Sequence, residues 1–228
     1  MDASRKPRQP HRRNSVIVLA AIGVAGLAGC SLVTMAGKAI FGDPVLTCSF
    51  KQVTKVDLVD SKKSVLVLCT VPESVSSQYP AINQRILEGV TRNLKREGVR
   101  VVNANKVLTW LDDRNGVWGS ADELAADFDA DYVIHIELTD FTHRAENSPG
   151  LYQGKTLGEV HAYRVVKRGG TKRAESVFVN EYRSDYPPNN PISANQASAK
   201  IFLEKYIARI STELAQMFYD HHAGDGIF

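Results

Sequence analysis

From residue 64 onward, apolar side chains fall into unbroken runs, two-residue alternations and four-residue steps, and each spacing marks a different element. SVLVLCT at 64–70 is an unbroken run, the pattern of a strand covered on both faces. In AINQRILEGVTRNLKREG, Ile82, Ile86, Val90 and Leu94 recur every four residues, which predicts an amphipathic helix ended by Gly98. VRVVN at 99–103 then reads as a second strand, parallel to the first because a helix joins them. ANKVLTWLDD carries a short helical pattern, Ser120 and Glu123 form a capping box before ELAADF, and ADYVIHIELTDF at 130–141 is the longest apolar strand. KTLGEVHAYRVV and ESVFVNEY flank RGGTKR, predicting an antiparallel hairpin closed at Gly169-Gly170. After DYPPNNP, Ser193 is placed to cap a last helix with the stripe Leu203, Ile207, Ile210, Leu214 and Met217 covering the sheet. The expected fold is α/β (α+β): a mixed sheet in the order β-α-β-α-β-β-β-α with helices packed on it, spanning 64–222, with 223–228 as a disordered tail.

The N-terminal pattern differs. Arg5, Lys6, Arg8, Arg12 and Arg13 precede an apolar stretch of small residues, the order of an export signal, so 1–29 reads as a leader and 30–63 as a tether. Two readings of the leader stay open. In one it is cut before Cys30; in the other Val16 to Gly37, which holds no charged side chain, remains as a membrane-spanning anchor helix. The basic flank keeps the N-terminus cytoplasmic in the second, and the domain faces outward in both. Without residues 1–29, the 28 basic and 25 acidic side chains become 23 and 24. A near-neutral chain has no bulk field to displace counterions from phosphates, so nucleic-acid binding is not expected.

The words Leu27-Ala28-Gly29-Cys30 resemble the lipobox of bacterial lipoproteins, in which small residues precede the cysteine. That resemblance implies signal recognition through Leu27, Ala28 and Gly29, and lipidation of Cys30 by a diacylglyceryl thioether and an amide-linked acyl chain such as palmitate. The domain words VLVLCT, VVNANKV and LAADFDADYVIHIEL are similar to the TolB N-terminal, CsgG and LpoB-like envelope domains over residues 64–140. The chain lacks the alternating pore segments of CsgG. FGDP, TWLDD and EYRSDYPPNNPIS also resemble uncharacterised planctomycete-type membrane proteins, which implies an envelope location and supplies no catalytic residues.

Candidate chemistry is sparse. His135 and Glu137 lie two apart on a strand and therefore share a face, and with His143 they form a candidate metal set for an envelope hydrolase. A half-solvated sheet face explains them equally well. H-x-E without paired downstream cysteines excludes a zinc deaminase. No GxSxG, HExxH, P-loop or GxGxxG occurs, and no cofactor is expected. Asp127, Asp129 and Asp131 lack the glycine turn and distal glutamate of a calcium loop, and Asp129 and Asp131 read instead as a helix-to-strand turn. Cys69 reads as a buried small hydrophobe, with a disulfide to Cys48 as the alternative. His221 and His222 read as solvated at a frayed end. Tyr182, Tyr186, Pro187 and Pro188 form a candidate partner-contact loop, or else a stiff connection into the last helix. The expected function is a non-catalytic, membrane-anchored envelope lipoprotein that binds another envelope protein.

Overall fold

SVLVLCT becomes an inner strand because both faces of it are covered: residues 65–69 are each at most 1% exposed. In the computed structural model, which describes residues 44–224, this strand (β2, Ser64–Thr70) belongs to a five-stranded sheet. Its partners are β3 (Arg100–Val101), β4 (Tyr132–Thr142), β6 (Gly154–Arg168) and β7 (Thr171–Tyr186), in the spatial order β3-β2-β4-β6-β7. β3, β2 and β4 run parallel, and β6 and β7 add antiparallel to β4, so the fold is a mixed α/β sheet with helices packed on it. The leader, including Leu27, Ala28, Gly29 and Cys30, and residues 225–228 lie outside the described residues. Among the described residues no helix is long and apolar enough to cross a membrane.

Six helices occur among these residues: α1 (Ser49–Thr54), α2 (Glu73–Gln78), α3 (Ile82–Arg96), α4 (Ala104–Asp112), α5 (Ala121–Asp127) and α6 (Ala199–Gln216). Helix α3 buries Ile82, Ile86, Val90 and Leu94 as its spacing demands. It ends in a Schellman turn: Gly98 at φ +88° donates its N–H to Lys95, and Val99 donates to Leu94. The β6–β7 turn holds Gly169 and Gly170, both at positive φ, as a two-residue hairpin requires. Helices α3 and α6 pack side by side on one face of the sheet, and α4 and α5 cover part of the other.

Several expectations need correction. The tether does not reach residue 63. Four short strands, β1 (Val45–Leu46), β5 (Leu151–Tyr152), β8 (Ile192–Ser193) and β9 (His221–His222), join the element order, and β1 pairs with β9. Phe50 and Leu58 are each 1% exposed, and the Phe50 ring packs against Tyr132, Phe178 and Phe218. Burial of such side chains makes 45–63 part of the domain. The pairing also means that His221 and His222 are not a frayed end. Ser193 sits in β8 opposite Leu151, and the cap of α6 is Ser198, whose hydroxyl accepts from the Ile201 N–H. Ser120 makes no side-chain cap; Glu123 reaches back to the Gly119 N–H. Cys48 and Cys69 are both buried free thiols, Cys69 with its pKa pushed up to about 12 by burial.

Candidate functional site

The strands of the sheet place alternate side chains on its two faces, so register decides which charged groups meet. On β6, Gly154, Thr156, Gly158, Val160 and Ala162 are buried beneath the helices, while Leu157 and Glu159 are exposed on the opposite face. On that opposite face α4, α5 and the loop between them cover Leu66 and Leu68, both fully buried, and leave Val179 at the far end of the Leu68 row exposed. The cover stops at Trp118, whose ring meets His135 edge-on at 4.4 Å. Beyond it the sheet is open.

The first open row is Thr70, Glu137, Glu159 and Glu181, one residue from each of four adjacent strands, paired in register. All three glutamates are exposed. Val179 and Leu157, 57% and 40% exposed, flank the row on either side. A Glu159 carboxylate oxygen lies 3.3 Å from His161 Nε2, and Arg183 is taken up by Asp185 at 2.8 Å. Like charges directly opposite each other across strands are destabilising, so this row breaks a local rule of sheet stability. Glu159 and Glu181 escaped the sequence reading, and Glu137 entered it as a metal candidate alone, because only the register brings the three together.

The candidate metal set does not assemble. A β-bulge in β4 inserts Thr139 between Leu138, which pairs with Gly158, and Asp140, which pairs with Leu157. One extra residue reverses the facing of everything after it. His135 and Glu137 therefore point to the open face, while His143 turns to the helix side, where it shares a 3.0 Å hydrogen bond with the Tyr79 hydroxyl and stacks on Tyr152. A Cβ on Gly158 would collide with the Glu137 carbonyl oxygen, so glycine here admits the close approach beside the bulge. Among the described residues no group of three His, Cys, Asp or Glu is placed to hold a metal.

His135 itself is 5% exposed, with Nε2 at 2.8 Å from the Thr70 hydroxyl and its ring stacked on His161. Burial first, and the neighbouring His161 second, lower its pKa from 6.5 to about 4. The fold thus favours the neutral ring. Below pH 6.5 the unfolded chain takes up the proton first, so stability present above that pH is lost as pH falls towards 4, by about 3 kcal/mol in all. His143 is shifted the same way, by burial and by Arg144, and adds to the slope. Denaturant unfolding between pH 7 and 4 is expected to show this decline, and His135→Gln to flatten it.

The tyrosines of the candidate contact loop face inward. Tyr182 is 5% exposed and donates to the Glu213 carboxylate at 2.9 Å. Tyr186 stacks on Phe202 and Tyr206 beneath the Arg209 guanidinium. Their even-numbered positions share the core face of β7 with buried Ser184. Pro187 is half-buried after a cis peptide bond, and only Pro188 is exposed. The acidic words are structural as well: Asp131 ties the start of β2 to β4 through the Ser64 N–H and Lys63, and Asp127 accepts from the Trp110 indole.

No protein-family model matches the chain. No curated protein matches it either. Among solved structures the fold is similar to a PelC dodecamer from Paraburkholderia phytofirmans, with 10% identity over 77% of this chain and 96% of that one and a TM-score of 0.40. It is similar to protein XCC0632 from Xanthomonas campestris, at 10% identity over 76% and 91% of the two chains and a TM-score of 0.42. The lipoprotein GNA1162 from Neisseria meningitidis matches at 17% identity over 67% and 96%, with a TM-score of 0.34.

Proposed function

We propose that this protein is a non-catalytic lipoprotein of the bacterial envelope, held by acyl chains on Cys30, whose α/β domain binds a second envelope protein of basic character on the open sheet face. The observation that carries the binding reading is the in-register row Glu137, Glu159 and Glu181, exposed and flanked by exposed Val179 and Leu157. An exposed strip of this kind, negative at its centre with apolar edges, complements a basic surface with apolar contacts around it. Like charges set in register across three strands are the kind of local inconsistency found at functional surfaces. The anchoring half of the reading rests on the lipobox words before Cys30 and the basic leader.

Stability and binding should therefore move in opposite directions at the centre of the row. Glu159→Gln removes the shared neighbour of two like charges and is expected to raise the unfolding free energy by about 0.5–1 kcal/mol. The same substitution should reduce partner cross-linking in intact cells, more at low salt than at high. A partner captured equally well by Glu159→Gln and by the triple glutamine variant would rule out this face.

A further inference from the structure

The open sheet face is not the only unusual surface. Eight large apolar side chains are conspicuously exposed among the described residues, and four of them, Val45, Leu46, Val53 and Val59, fall within residues 45–59. Their exposures are 60%, 45%, 61% and 37%. Val45 and Leu46 are fixed in position because β1 is paired with His221–His222 rather than trailing free. The following helix α1 is pinned through Phe50 and through Lys51, which bridges Asp57 and Asp220, both at 2.6 Å. Lys55 in this segment and Lys62 just after it are exposed, and Lys51 and Lys55 line one surface depression with Val45 and Leu46. Rigid apolar side chains with lysines beside them are what an interfacial contact with a bilayer uses.

We infer that this end of the domain, led by Val45, Leu46 and Val53, lies against the membrane surface to which Cys30 holds the chain. The inference rests on the lipoprotein reading of Cys30. The chain from Cys30 to Pro44 spans at most ~50 Å when fully extended, so the patch begins where the tether ends and is held at high effective concentration near the bilayer. The sheet gives a second reason. Phe50 of α1 packs against the helix-side residues Tyr132 and Phe178, whereas Glu137, Glu159 and Glu181 project from the opposite face. Contact on the α1 side turns the acidic row away from an anionic bilayer. The anchor then sets orientation as well as location: the patch meets the lipid, and the binding face meets the compartment.

The test uses the protein as extracted from membranes, reconstituted into vesicles of phosphatidylethanolamine and phosphatidylglycerol. Leu46→Cys and, separately, Val117→Cys carry an environment-sensitive thiol fluorophore; Val117 is 69% exposed in the loop beside Trp118. Cys48 and Cys69 are buried, and a thioether at Cys30 leaves no thiol there to label. Flotation and intact mass report anchoring, and emission with and without brominated lipid reports contact. The expected result is a blue shift at position 46 that bromolipid quenches, with neither change at position 117. Protein that floats with the vesicles while both labels stay solvent-like would overturn the membrane-contact inference and leave the lipoprotein reading standing. Unacylated protein that does not float would overturn both.

Discussion

Gly154→Ala is expected to lower the unfolding midpoint by ~5–10 °C, corresponding to about 2–3 kcal/mol of overpacking in a domain of this size. Gly154 begins β6 on the helix side, where a Cβ would stand 2.5 Å from two carbons of the Tyr206 ring. That ring has no room to yield. Tyr206 is fully buried, packs against Phe141, Phe202 and Tyr186, and its hydroxyl meets Thr156 at 2.6 Å and the Ser184 carbonyl at 3.3 Å. Elsewhere an alanine in place of glycine adds about 0.4–1 kcal/mol by restricting the unfolded chain, which is too little to offset this collision. Thermal unfolding of the variant checks the prediction, and a double-mutant cycle with Tyr206→Leu should show coupling, since the smaller side chain removes the atoms that collide. An unchanged midpoint would mean that α6 can shift away from the sheet.

Cys30→Ala should have the largest cellular effect. On the lipoprotein reading, wild-type protein extracted from membranes has the mass of a chain starting at Cys30 plus acyl groups, while the variant keeps residues 1–29 and carries no lipid. Two or three acyl chains anchor stably where one binds only marginally, so loss of the cysteine removes the lipid anchor outright and leaves the uncleaved apolar leader as the variant's one remaining hold on the membrane. Intact mass spectrometry distinguishes the outcomes. A full-length, unmodified mass in both proteins would instead assign Val16 to Gly37 as a retained spanning helix.

These two predictions draw on different kinds of information. The lipobox words are local, and a short run of residues carries them whatever the rest of the chain does. Helix α3 was legible for the same reason, since its stripe and the Gly98 stop lie within one segment. So was β2, whose unbroken apolar run left no exposed face for it. The hairpin turn at Gly169-Gly170 could be read from two adjacent glycines. What stayed hidden was long-range. Nothing in the text of residues 45–58 announces that Phe50 reaches Phe218 or that Val45 pairs with His222, because both contacts join the two ends of the domain.

Hydrophobic spacing by itself determined the class of fold, the central strand and helix, and the hairpin, because each is set by side-chain periods within a few turns of chain. Tertiary structure alone decided the candidate surface, through two bulges that insert one residue each. In β4, Thr139 sends His143 to the face opposite His135 and dissolves the metal set. In β7, Val177 is the extra residue between Ser176, opposite Tyr163, and Phe178, opposite Ala162. A regular two-residue hairpin would set Glu159 opposite Asn180; the bulge sets it opposite Glu181 and completes the acidic row. The side-chain period of a strand is two, so a single inserted residue reverses every assignment beyond it, and where that residue goes depends on the packing of both faces.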